Sequence, residues 1–357
     1  MAQLSYGAPD NEARNYDAVL YLSFGGPEGP DDVLPFMENV TRGRGVPRAR
    51  LEEVSSHYQL FGGVSPINSL NRAVIGALRE ELHRNGPDLP VYWGNRNWHP
   101  MLTDTMKQMR EDGVQRAIAF VTSAYSSYSG CRQYRDDIAL AQTDIGDGAP
   151  RVDKLRVFFN HPGFIEPQVE KARVALEAVP EDRRAAVRLA FTAHSVPTRM
   201  ADTSSYVQQL TEACRLVAER LDAPHVWDLV WQSRSGPPHV PWLEPDIVDH
   251  IAKLHTEGVE DLVIVPVGFV ADHLEVRFDL DVQATEAAAR LGMNMVRAEA
   301  VGAHPRYVRM IRDLIVERMT ARPERVALGD CGASHDICGA TCCPAPARPA
   351  GPPAATA

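Results

Sequence analysis

Leu262-Val-Ile-Val-Pro-Val267, continuing Gly268-Phe-Val-Ala-Asp-His-Leu-Glu275, is apolar throughout its first stretch and then breaks into charge. A strand covered on both faces reads as an unbroken apolar run, whereas a half-solvated strand alternates. Val187-Arg-Leu-Ala-Phe-Thr-Ala-His-Ser-Val-Pro197 repeats the form upstream, with a strand expected over 187–192 and His194 just beyond it. Pro197 favours extended or turn backbone, which is expected to hold the imidazole outside regular structure. Open α/β sheets bind ligands at the carboxyl ends of parallel strands, so His194 and Glu275 are expected to converge on one cleft.

Working outward, apolar β-branched runs recur at 17–24, 90–93, 117–122 and 155–159, and again at 187–192, 227–231, 262–267 and 295–300. Helix-period stretches separate most of them, at 73–83, 167–178, 206–221 and 284–291. Strand followed by helix, repeated, predicts parallel sheets with right-handed crossovers. The fold class is therefore α/β, with two Rossmann-like domains, each a four-stranded parallel sheet flanked by helices, and a cleft between them. The expected division is a flexible N-terminus over 1–15, a first domain over 16–150 joined by a returning helix within 303–322, and a second domain over 151–302. A cysteine-rich segment follows over 323–343, then a disordered Pro/Ala tail over 344–357.

The chain has 357 residues and a formal net charge of −10. That charge argues against a nucleic-acid partner, which clustered Lys and Arg would attract. No apolar run approaches membrane-spanning length and residues 1–16 carry no hydrophobic leader, so a cytoplasmic monomer without a membrane span is expected. Four of the six cysteines, Cys331, Cys338, Cys342 and Cys343, fall within thirteen residues. In a reducing compartment that spacing reads as metal ligation rather than cross-linking.

Gly25-Gly-Pro-Glu-Gly29 follows the first strand but lacks the third glycine of a dinucleotide fingerprint and puts proline where amides should face pyrophosphate. The chemistry lies elsewhere. After Glu275, Asp279, Gln283 and Glu286 follow at helical spacing, so a helix starting near His273 would carry a carboxylate stripe. Glu286 reads as solvated surface; Glu275 and Asp279, beside the sheet edge, read as a route for protons or divalent cations. Arg42 and Arg44 are placed to clamp ligand carboxylates, or else are surface charges. Tyr58 and Ser65 lie in the glycine-containing stretch after them, and Ser123, Tyr125 and Ser129 offer hydroxyls and rings to a planar ligand. Trp231 is wall, core or both.

Phe24-Gly-Gly-Pro27, Arg42-Gly-Arg44, Gly62-Gly-Val-Ser-Pro66, Thr192-Ala-His-Ser-Val-Pro197, Trp231-Gln-Ser233 and Val265-Pro-Val-Gly-Phe-Val-Ala-Asp-His-Leu-Glu275, in this order and spacing, resemble the ferrochelatase family from residue 16 to about 319. The resemblance implies a lyase that inserts ferrous iron into a porphyrin, with His194 and Glu275 as the active-site pair, and enzymes of haem synthesis as its partners. Metallation must remove two pyrrole protons as the cation enters, so a base and a carboxylate suit it. The resemblance makes His194 the proton acceptor, with a transient iron contact open to it, and Glu275 its acidic partner. Asp279 continues the iron or proton path, and reversed roles stay open. Phe24, Arg42, Arg44, Tyr58, Ser65, Ser123, Tyr125, Ser129 and Trp231 are the expected porphyrin contacts.

Some bacterial members that act on coproporphyrin carry a tyrosine where this chain has Phe24, and phenylalanine cannot ligate iron. The cysteine tail is similar to that of the actinobacterial members bearing a [2Fe–2S] cluster, for which coproporphyrin III is the implied substrate and protoporphyrin IX the alternative. Cys331, Cys338, Cys342 and Cys343 are the implied cluster ligands, with zinc at the same sulfurs as the competitor. If adjacent Cys342 and Cys343 do not both reach the cluster, Cys131 or Cys214 supplies the fourth. The rival readings are a cobalt-loading chelatase and a non-catalytic haem or metal carrier.

Overall fold

A computed structural model describes residues 12–43 and 45–345. Arg44 and most of the Pro/Ala tail lie outside the described residues. Two four-stranded sheets form, ordered β2-β1-β3-β4 and β6-β5-β7-β8. The strands of the first are β1 (Ala18–Ser23), β2 (Val91–Asn95), β3 (Arg116–Val121) and β4 (Arg151–Lys154); those of the second are β5 (Arg188–His194), β6 (Trp227–Gln232), β7 (Asp261–Val265) and β8 (Asn294–Arg297). Every pairing is parallel, and both halves share one strand order. β1 and β7 are buried along their whole lengths, as their unbroken apolar sequences require.

Two expectations are corrected here. The fourth strand is not 155–159 but β4, Arg-Val-Asp-Lys, which pairs only with β3 at the sheet edge and so needs no apolar run. It belongs to the first sheet, so that sheet extends past residue 150. Leu155, Val157, Phe158 and Phe159 are core residues outside any strand. The second correction concerns His194, which is the last residue of β5, in register with Gln232, rather than beyond the strand.

The helices are α1 (Val33–Val40), α2 (Arg48–Gln59), α3 (Pro66–Asn85), α4 (Leu102–Glu111), α5 (Gln133–Ile145), α6 (Pro162–Glu177), α7 (Thr198–Asp202), α8 (Tyr206–Ala218), α9 (Ile247–Thr256), α10 (Leu274–Val276), α11 (Thr285–Arg290) and α12 (Pro305–Met319). The returning helix α12 packs on α3 and on α6, and α6 in turn reaches α8 and β7. One apolar cluster therefore runs from Val19 and Phe120 in the first half through Phe158, Phe164 and Tyr307 to Phe191 and Val265 in the second. Polar contacts stitch the same seam: Tyr125 Oη donates to the Val267 carbonyl at 2.8 Å, and Ser126 N donates to Gln209 Oε1 at 2.7 Å. Buried Arg156 forms a bidentate pair with Glu317 of α12 at 2.7 and 2.9 Å. Among the described residues no helix is long and apolar enough to cross a membrane.

Candidate active site

β5 ends on His194 because the apolar face of the strand is exhausted there. Tyr206, at the start of α8, anchors the end by donating its hydroxyl to the His194 carbonyl at 3.0 Å. The loop after β7 crosses close beneath. Gly268 N donates to Thr192 O at 3.0 Å, and a Cβ at Gly268 would lie 2.5 Å from Ala193 Cβ, so this approach demands glycine. The loop then delivers His273, whose ring caps the next helical run by accepting from Val276 N.

That run carries a third correction. It is not a plain α-helix: residues Arg277–Ala284 form a π-helical stretch between α10 and α11. Such stretches are rare and concentrate at functional sites. Glu275 in α10 and Asp279 and Gln283 in the stretch follow one another at spacings of four. Arg297 fastens the stretch to the preceding loop by pairing with both Asp272 and Asp281.

His194 Nε2 lies 3.6 Å from Glu275 Oε2. Nδ1 of His194 contacts the Ser195 carbonyl and so carries its proton there, which leaves Nε2 toward Glu275. Both side chains keep an open side, His194 34% and Glu275 47% of their surface, so they face an accessible space rather than the core. Burial opposes charge on both, yet the partners win. Hydrogen bonding and attraction to Glu275 raise the His194 pKa, and His194 with His273 holds Glu275 down at about 2. His273 goes the other way, lowered by burial. Asp279 is different again: burial first, then Glu275, raise it to about 6, although Ser233 and Gln232 both donate to its Oδ2. The site thus sets a histidine and an ionised carboxylate beside a second carboxyl raised to about 6.

The other expected residues separate. Tyr58 belongs to the site: it is buried against Leu274, and burial with nearby Glu275 and Asp279 drives its pKa well up. Phe24 is exposed at the end of β1 and meets Phe36 edge-on at 6.3 Å, with Trp98 beyond. Arg42 is exposed beside a depression of about 540 Å³ lined also by Glu38, Asn39, Trp98 and His99. Ser123 is half-buried and Ser129 exposed. Ser65, Tyr125 and Trp231 are buried and engaged within the protein. Ser65 is buried and caps α3 by accepting from Ile67 N, Tyr125 is buried with its hydroxyl given to Val267, and Trp231 packs on Tyr206 in the core. Hydroxyl-rich sequence offered no way to tell a cap from a contact. His273, Ser233 and Gln232 were missed as site residues; the signals were present, in the residue two before Glu275 and in the pair after Trp231.

The cysteine segment is also rearranged. Cys338, Cys342 and His335 each offer a ligand atom within 4.8 Å of the others. Cys343 Sγ lies 3.8 Å from Cys342 Sγ, which its left-handed backbone, φ 49°, makes possible for adjacent residues. Cys131, just before α5, hydrogen-bonds Cys338, and this contact and burial raise its pKa. Cys331 is buried beside Glu212 and Arg215, apart from the group of His335, Cys338 and Cys342. Cys214 is buried in α8 near Tyr125. Of the two alternatives offered for the fourth ligand, Cys131 approaches Cys338 and Cys214 does not. Local spacing favoured Cys331; a contact from two hundred residues away is invisible to spacing. Thiols converging with an imidazole are a soft donor set, which suits an iron–sulfur cluster or zinc.

A family model described as Ferrochelatase matches residues 16–319. A protein of Streptomyces griseus named Coproporphyrin III ferrochelatase is 54% identical, the match covering 92% of this chain and 94% of that one. A protein of Rhodopirellula baltica named Ferrochelatase is 52% identical over 93% of this chain and 95% of its own. Among solved structures, SirB from Bacillus subtilis with Fe3+ is similar at a TM-score of 0.52 and 12% identity, covering 85% of this chain and 95% of that one, a likeness of fold alone.

Proposed function

Since the chain belongs to the ferrochelatase family, we propose that it inserts ferrous iron into coproporphyrin III, giving Fe-coproporphyrin III, with His194 and Glu275 as the catalytic pair. The substrate follows the name of the Streptomyces griseus relative. The observation that carries the residue roles is the 3.6 Å His194–Glu275 couple, open on one side and backed by a carboxyl raised to about 6.

His194 Nε2 is the base. Its Nδ1 proton is held by the Ser195 carbonyl, so Nε2 is the atom free to take a pyrrole proton. Glu275, held ionised, stabilises the resulting imidazolium and draws the divalent cation to the same point. Asp279, its carboxyl raised to about 6, takes protons onward to solvent, and His273 keeps the head of the π-helical run in place. Arg42 and Arg44 are offered to the propionates, and Phe24, Tyr58 and Ser123 to the ring edges.

The C-terminal segment holds a [2Fe–2S] cluster on this reading, with Cys338 and Cys342 at its centre and Cys131 and Cys343 beside them. Bound there, the cluster supplies a cross-link from the tail to the start of α5 and a one-electron centre.

The test is anaerobic. Purified protein is given Fe²⁺ with either coproporphyrin III or protoporphyrin IX, and loss of free-porphyrin fluorescence is followed for the native protein and His194→Ala. Multiple turnovers on coproporphyrin that vanish in the variant are expected. Faster turnover on protoporphyrin overturns the substrate, and one-to-one quenching without turnover favours a carrier.

A further inference from the structure

We propose that Arg297 is a positioning residue for the catalytic couple: by clamping both ends of the segment that carries Glu275 and Asp279, it holds Glu275 within reach of His194. The inference rests on the reading of His194 and Glu275 as the catalytic pair.

Arg297 is the last residue of β8, in register with Ile264 of β7, and so stands at the carboxyl end of the sheet that also ends in His194. Its guanidinium reaches two carboxylates. Nη1 donates to Asp272 Oδ1 and Nη2 to Asp272 Oδ2, both at 3.2 Å, while Nε and Nη2 donate to Asp281, the second at 3.1 Å. Asp272 precedes Glu275 by three residues and Asp281 follows Asp279 by two, so one side chain on the sheet brackets both site carboxylates. The segment between needs such a bracket. π-Helical geometry is rare, and an uncommon backbone persists where its surroundings over-determine it. Arg277 also nears Asp281, at 3.7 Å, but it sits over the Phe61 ring and takes one end of the segment alone. Forked recognition of two carboxylates belongs to arginine; lysine offers a single point charge.

The competing account is a purely structural ion pair, of the kind Arg116 forms with Asp153 in the first sheet at 3.1 and 2.5 Å. Breaking a structural pair lowers the amount of folded enzyme without changing what each folded molecule does.

Turnover of Fe²⁺ with coproporphyrin III, per folded full-length protein, separates the two. Arg297→Gln should lose about 10²-fold in kcat, the cost of misplacing a reacting group by about 1 Å, with the porphyrin KM unchanged. Arg297→Lys should recover part of that loss, and Arg116→Gln should keep the native kcat. An unchanged kcat in Arg297→Gln, or an equal loss in Arg116→Gln, overturns the proposal. Should Arg297→Gln not fold, Asp281→Asn, which frees one end only, is expected to lower kcat at unchanged KM, and a native kcat there overturns it. Hydrogen exchange keeps this proposal apart from the reading beneath it: amides over residues 274–284 should exchange faster in Arg297→Gln while β5 and β7 stay slow. A native protein without turnover sinks the catalytic reading; unaltered exchange over 274–284 sinks the clamp.

Discussion

Asp279→Asn isolates the most unusual electrostatic feature of the site. Its carboxyl is raised from 3.8 to about 6, chiefly by burial. A raised carboxyl adds nothing unfavourable below its unfolded value, destabilises increasingly as pH climbs from that value to the folded one, because only the unfolded chain then sheds its proton freely, and carries the full penalty above it. At 1.36 kcal/mol per unit, a shift of this size amounts to about 3 kcal/mol at pH 7 and about 0.5 kcal/mol at pH 4. Asp279 is partly exposed, and solvent screening brings the expected value at pH 7 nearer 1–2 kcal/mol. Asparagine keeps the carbonyl oxygen that accepts from Ser233 and Gln232 while removing the charge. Urea unfolding of both proteins at several pH values should therefore show the variant more stable at pH 7, with the advantage shrinking toward pH 4. A pH-independent difference, or a variant less stable at pH 7, refutes the burial argument. Turnover in the same variant should fall as the onward proton path is lost.

Glu275→Gln should cut kcat by roughly 10²–10⁴-fold, the range for loss of an acid–base partner. The acid limb of the kcat/KM profile, set by freeing His194, should also move to lower pH, because Glu275 is what raises the histidine; a limb that stays put counts against the couple. Arg156→Leu strands the buried Glu317 carboxylate and should destabilise by about 3–5 kcal/mol, read as a lowered urea midpoint. Gly268→Ala drives a methyl into Ala193, one residue before His194, and should cost about 1–3 kcal/mol with a loss of turnover out of proportion to any loss of folded protein.

Central strands were legible in the sequence because burial on both faces writes itself as an apolar run: β1, β3, β5 and β7 fall within two residues of expectation. Edge strand β4 was not, since one paired side and exposed faces leave Arg-Val-Asp-Lys free to be polar, while the apolar 155–159 owes its character to the seam. His194 and Glu275 were legible as polar residues ending such runs. The π-helical stretch was hidden, because a spacing of four suits either helix at so short a length. Hydroxyls that cap or bridge, at Ser65 and Tyr125, carry the same letters as hydroxyls that bind. Cys131 shows the limit most plainly: nothing local marks it as a neighbour of Cys338.

The shared core also constrains how a flat macrocycle can enter. Two-lobed proteins that open like a jaw need a wet, breakable boundary between lobes. Here Phe120, Phe158, Phe164, Tyr307 and Phe191 belong to a single cluster across that boundary, so prising the halves apart would expose the interior itself. Entry is then expected past α1 and α2, whose own small cluster includes Leu274 and whose rim stacks His57 on Phe278 at 4.1 Å. Amide exchange should then run fast over residues 33–64 and quieten when porphyrin is bound, while the strands on either side of the seam exchange together and slowly.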